Sequence, residues 1–163
     1  MKIKDVMVQD VVAINPSASL AEAAELMRQA NVGILPVVED GQVCGVITDR
    51  DLVVRAIAIG ADLTSTPVGE CATGDPILAH PDWNLEQAMN AMARAQIGRL
   101  PVIDDDNALA GIVTLGSLAL RSKKDKETLA TAKAVSRRSV KATPRSSSTR
   151  PKHGTTRPKK KAS

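Results

Sequence analysis

The sequence is almost without aromatic residues. Trp83 stands alone among 163 residues, with no Tyr and no Phe. A bound base would therefore be held by aliphatic side chains and backbone, and a stacking platform for single-stranded nucleic acid is excluded from the folded part. Cysteine is scarce too. Cys44 and Cys71 are too few and too far apart for a disulfide framework or a Cys-based zinc site. Cys44 falls in a strand pattern and is expected to be a small buried hydrophobe, and Cys71 a core residue like Val6. The sequence has no long apolar run and no signal-peptide pattern, which predicts a cytoplasmic chain without a transmembrane segment. Nucleotide-binding and catalytic signatures are also missing: no P-loop, no G-x-G-x-x-G, no G-x-S-x-G. Outside the basic C-terminal stretch His80 is the sole histidine, placed before Pro81, where a turn or cleft-lining residue is expected rather than a general base. Asp104-Asp105-Asp106 lacks the other ligands of a calcium loop and reads as a solvated turn.

What is present is a duplication. Pro36 and Pro101 are 65 positions apart, and the same offset pairs Asp10 with Asp75, Pro16 with Pro81, Leu20 with Leu85, Met27 with Met92 and Gly33 with Gly98. One inserted residue near Asp104-Asp105-Asp106-Asn107 raises the offset to 66. It then pairs Gly45 with Gly111, Thr48 with Thr114, Leu52 with Leu118 and Arg55 with Arg121.

Each copy reads β-α-β-β-α. In the first, Val11–Ile14 is a predicted strand ended by Asn15-Pro16. Ser19 and Glu22 form a capping box for a helix with Leu20, Ala23, Ala24 and Met27 on one stripe. Asn31-Val32-Gly33 ends that helix. Leu35–Val38 and Val43–Ile47 are strands joined at Asp40-Gly41, and a helix follows over Arg50–Ile59. The second copy repeats this, with Asn84 as cap and Leu85, Ala88, Met89 and Met92 as stripe. The expected fold is α/β (α+β), with repeats at 1–60 and 68–121 joined by a linker at 61–67. Each is about 50 residues, marginal for an independent core. The two should therefore pack sheet to sheet around a pseudo-two-fold axis, leaving clefts between them.

Charge divides the chain. Residues 1–120 hold 7 Lys/Arg against 16 Asp/Glu, net −9; residues 121–163 hold 15 against 2, net +13. The basic segment 122–163 is expected to be disordered, with weak helical character over Lys123–Arg138. It serves either as a solubilising tail or as an electrostatic contact for nucleic acid, anionic membrane or an acidic partner.

The stretch Gly45-Val46-Ile47-Thr48-Asp49-Arg50-Asp51-Leu52 runs from strand to helix, and its counterpart is Gly111-Ile112-Val113-Thr114-Leu115-Gly116-Ser117-Leu118. Thr48 and Asp51 have capping-box spacing. They also suit a ribose-phosphate, since a hydroxyl and helix amides accommodate an anion while a carboxylate accepts from ribose hydroxyls. Both readings fit these residues.

With its Leu35-Pro36-Val37 and Leu100-Pro101-Val102 segments, its Asn15-Pro16 and His80-Pro81 turns and its two Gly-hydrophobic-x-Thr stretches, the chain over 1–121 resembles a tandem cystathionine-β-synthase (CBS) domain pair, or Bateman module. The resemblance implies a non-enzymatic regulatory module, in a homodimer, that binds an adenosyl small molecule between repeats. The candidate ligands are AMP, ADP, ATP, S-adenosylmethionine or NAD, with no required cofactor. It further implies composite pockets. In one, Thr48 serves phosphate and Asp51 ribose, Ile77 walls the base, and backbone near Ile97 and Gly98 reads its edge. The other uses Thr114 and Ser117, with Arg99 on phosphate and Val12, Val32 and Ile34 around the base. Ser117 stands where the family has Asp, and Leu115 where the first copy has Asp49, so the pockets should be unequal. The alternative is a nucleic-acid-associated protein acting through its basic tail, with the pair as scaffold.

Overall fold

A computed structural model describes residues 1–121 and 125–140. Ser19 caps α1 (Leu20–Ala30): its hydroxyl accepts from Glu22 N–H at 3.2 Å while Glu22 accepts from Ser19 N–H at 2.7 Å. Asn84 and Gln87 do the same for α4 (Leu85–Ala95). Both helices end on a left-handed residue, Asn31 and Gln96. In the first hairpin, β1 (Ile34–Glu39) pairs antiparallel with β2 (Gln42–Thr48) through Asp40 and Gly41, both at positive φ as a tight primed turn requires. In the second, β4 (Arg99–Ile103) pairs with β5 (Leu109–Thr114). Each hairpin carries a register shift at the same place, Val37/Val38 and Val102/Ile103.

After β2 the chain becomes helical at once. α2 starts as Asp49–Asp51, widens to a π-helical Leu52–Ala56 and closes in a 3-10 turn, Ile57–Ile59. A short α3 (Val68–Cys71) and β3 (Thr73–Gly74) follow, and α5 (Leu115–Arg121) succeeds β5.

The repeats interleave. Ile3 and Val6, from the N-terminal 3-10 turn, are buried in the core of the second repeat with Ala88, Met92, Leu100 and Val113. Their counterparts Val68 and Cys71 are buried in the core of the first, with Leu20, Leu35 and Ile47. The hydrogen bonds obey the same exchange. Ile3 N–H donates to Trp83 O and Lys4 N–H to Pro81 O; Val68 N–H donates to Ala18 O and Gly69 N–H to Pro16 O. At the sheets, β3 joins the first hairpin beside β2, and Val8 bridges Ile112 of the second. Gln42 bridges Ala108, its own counterpart, so the pseudo-two-fold axis passes between them. Exchanging these segments gives each half-sized unit a larger core than its own residues supply.

Three expectations need correction. Val11–Ile14 forms no strand: Ile14 alone bridges Val37, in parallel, as Ala79 bridges Val102. Both short segments lie along a hairpin strand for a single residue before a proline turn bends them away. Cys44 is exposed, because it shares the β2 face of Val46 and Thr48 while Gly45 and Ile47 face the core. Ala24 is exposed, and the buried stripe of α1 is narrower: Leu20, Ala23 and Met27. Part of the stretch expected to have weak helical character, Lys123–Arg138, is described as a helix, α6 (Asp125–Val140), with Thr131 buried and its hydroxyl donating to Glu127 O. Val135 packs on the core of the second repeat. The remainder of the expected tail, and with it any nucleic-acid contact there, lies outside the described residues.

Candidate functional site

Between the repeats lies a cavity of about 470 Å³, a size that suits a nucleoside-like ligand. One wall is the end of β2 and the start of α2: Val46, Thr48, Asp49, Arg50, Asp51 and Arg55, with Gly33 and Ile34 at the start of β1. The opposite wall is Thr73, Asp75, Pro76 and Ile77, completed by Ala95, Ile97, Gly98, Arg99 and Pro101. The second wall reaches the first because Gly45 has no side chain. A Cβ there would stand 2.9 Å from Thr73 O, which pairs beside it.

The capping box is formed in full. Thr48 donates its backbone N–H and its hydroxyl to Asp51 Oδ2, at 2.9 and 2.8 Å, and Asp51 N–H donates to Thr48 Oγ1 at 3.1 Å. The two neighbouring amides are engaged as well. Asp49 N–H donates to Gly33 O at 3.1 Å, and Arg50 N–H donates to the Asp49 side chain at 2.7 Å. Asp51 Oδ1 points elsewhere, 3.5 Å from Arg55 Nε, and the Asp51 side chain is only 14% exposed. Arg55 is itself anchored, its Nη1 donating to Cys71 O at 3.1 Å. The Asp51 carboxylate thus lines the cavity with Oδ1 outside the helix cap and one cation beside it, an oxygen that can accept from hydroxyl donors.

At the other strand-helix junction the chemistry differs. Thr114 N–H donates to Ser117 Oγ at 3.1 Å, Ser117 N–H to Thr114 Oγ1 at 3.0 Å, and the Ser117 hydroxyl turns back on Thr114 O at 2.9 Å. No carboxylate stands there, and Leu115 packs on the core.

Of the residues expected in the first pocket, Thr48, Asp51, Ile77, Ile97 and Gly98 all line the cavity. Ile34, expected at the second, lines this one too, as does Arg99, expected as a phosphate clamp that could serve either pocket. Val12, Val32, Thr114 and Ser117 do not; Val12 and Val32 are exposed apolar residues on the other side of the pseudo-axis. Sequence reasoning missed Gly33, Val46, Arg50, Arg55, Thr73, Asp75, Pro76, Ala95 and Pro101 as lining residues. Arg55 carried a usable signal, four residues after Asp51 on one helix face. Asp75 did not, since its place depends on the exchanged strand.

Among the described residues no group of His, Cys, Asp and Glu side chains is placed to hold a metal ion, and no helix is long and apolar enough to cross a membrane. His80 sits 6.5 Å from Trp83, ring to ring, in the turn before α4. Asp104 accepts from the N–H groups of Asp106 and Ala108, closing the turn between β4 and β5.

Comparison with known proteins agrees with this architecture. A protein-family model described as CBS domain matches residues 3–57 and again 68–123. The CBS domain-containing protein YhcV of Bacillus subtilis is 45% identical over 118 residues, spanning 72% of this chain and 83% of that one. Among solved structures, CBSX2 in complex with AMP superposes with a TM-score of 0.65 at 30% identity, covering 77% of this chain and 98% of that one. The CBS domain pair of MJ0100, in complex with 5′-methylthioadenosine and S-adenosyl-L-methionine, gives 0.66 at 27% identity, with 74% and 94% covered.

Proposed function

This chain belongs to the CBS-domain family as a tandem pair, and from that premise we propose that it is a non-enzymatic sensor of an adenosyl compound held in the cavity between its repeats. The observation that carries the reading is Asp51. Its Oδ2 is consumed by the helix cap, while Oδ1 is left outside the cap in a side chain that lines a cavity built from both repeats. Ribose hydroxyls donate to that oxygen. Ile77 and Ile97 flank the base, and the backbone at Gly98 meets its edge. Aliphatic walls serve here because the chain has no Tyr or Phe to stack.

The adenosyl ligands of the similar structures, AMP in one and 5′-methylthioadenosine with S-adenosyl-L-methionine in another, fall within this class. A ligand touching both repeats favours one packing of them over others, and a partner protein that distinguishes the packings receives the signal. Self-association fits the surface: Val53, Val54 and Ile57 on α2 are exposed, as is Leu120, the counterpart of Val54, on α5. The functional unit is then a homodimer.

A thermal-shift screen of adenosyl compounds on the full chain tests the reading. A ligand at about 100 times its Kd should stabilise by about 2.7 kcal/mol. Asp51→Ala should remove most of that gain and Ser117→Ala much less. Equal losses, or the larger loss at Ser117, would overturn the assignment of the site.

A further inference from the structure

The start of α2 lies in the cavity wall yet offers no free amide to an anion. Thr48 and Asp51 satisfy each other, Asp49 N–H is bound to Gly33 O, and Arg50 N–H is bound by the Asp49 carboxylate at 2.7 Å. A phosphate oxygen at a helix start would sit where that carboxylate sits. Gly33 leaves room for that carboxylate: a Cβ there would stand 2.7 Å from Asp49 Oδ2. The charges around the cavity balance, with Asp49, Asp51 and Asp75 against Arg50, Arg55 and Arg99. Of the three cations Arg55 is committed to Asp51 and Cys71 O. At the equivalent place in the second repeat the residue is Leu115, which has no charge and cannot accept from Gly116.

We infer that Asp49 is a charge filter: the cavity takes adenosyl compounds whose 5′ substituent is neutral or cationic in preference to adenosine polyphosphates. The inference rests on the adenosyl reading above and adds the class of ligand within it. The carboxylate occupies the anion position at the same end of the cavity as Thr48 and Asp51, where the 5′ substituent lies once the ribose is on Asp51. A triphosphate entering there meets a fixed negative charge and no free amide. A sulfonium or thioether side chain meets no such penalty.

The test is calorimetric titration of the full chain with three probes, 5′-methylthioadenosine, S-adenosylmethionine and ATP, in low salt. The wild-type protein should bind the first two more tightly than ATP. Asp49→Asn keeps an acceptor for Arg50 N–H and removes only the charge. It should weaken S-adenosylmethionine and strengthen ATP, each by about three- to tenfold, and leave uncharged methylthioadenosine unmoved. Asp105→Asn, the same charge change in the exposed turn between β4 and β5, should alter none of the three. Methylthioadenosine binding with an ATP-to-sulfonium ratio unchanged in Asp49→Asn would overturn the filter and leave the adenosyl reading standing. Failure of every probe to bind the wild-type protein would overturn both.

Discussion

Gly111 and Val8 lie so close that a Cβ built on Gly111 would stand 2.7 Å from the Val8 carbonyl oxygen. Val8 and Ile112 exchange both backbone hydrogen bonds beside it, so the oxygen has no freedom to retreat. Gly45 and Thr73 O repeat the arrangement in the other repeat at 2.9 Å. Gly111→Ala should therefore destabilise the fold by about 1–3 kcal/mol, read from urea denaturation. Gly74→Ala, where a Cβ meets nothing within 4 Å, is the control and should hold or slightly gain stability. Wild-type stability in Gly111→Ala would contradict the exchanged packing.

The N-terminal turn is part of a core far from it in sequence. Ile3 is fully buried among residues of the second repeat, and Val68 among those of the first. Ile3→Ala should cost about 2–5 kcal/mol, and native-state hydrogen exchange should show the loss of protection in α4, β4 and β5 before α1, β1 and β2. Protection lost first around β1 and β2 would mean that the turn packs on its own repeat.

That turn is also tied by charge. Asp82 accepts from Lys2 Nζ at 2.8 Å and Lys4 Nζ at 3.0 Å. These hydrogen bonds, Lys2 first, and the two ammonium charges lower its pKa to about 2. A depressed carboxylate stabilises the fold at pH values above its unfolded pKa of about 4. The contribution fades as pH falls from there through about 2. Solvent screening keeps it modest. The acid limb of a Tm-against-pH curve should be shallower over that window in Asp82→Asn than in the wild type. Superimposable limbs would remove the tie.

The duplication, the hairpins and the helix caps were legible because each is written in local chemistry: Ser19 with Glu22, Asn84 with Gln87, Asp40 with Gly41. The exchange of segments was not. Ile3 and Val68 read as ordinary apolar residues, and which core an apolar residue enters is decided by chain geometry. The same limit explains the site. Thr48 and Asp51 were visible from their spacing, whereas Asp75 and Thr73 enter the cavity only because β3 crosses to the other repeat's sheet. Cys44 misled because its face of the strand mixes apolar and polar residues, Gln42, Cys44, Val46 and Thr48, and a small apolar residue there does not say whether that face is covered. α6 was read as weak because its own composition is poor in apolar residues; Val135 and the buried Thr131 gain their place from the surface they pack on.

The measurement that bears most directly on the whole account is a crystal structure of the full chain grown with 5′-methylthioadenosine. The account expects the nucleoside in the cavity between the repeats, its ribose hydroxyls donating to Asp51 and its base between Ile77 and Ile97. A cavity closed and filled by the protein's own side chains, or a ligand bound away from Asp51, would contradict it.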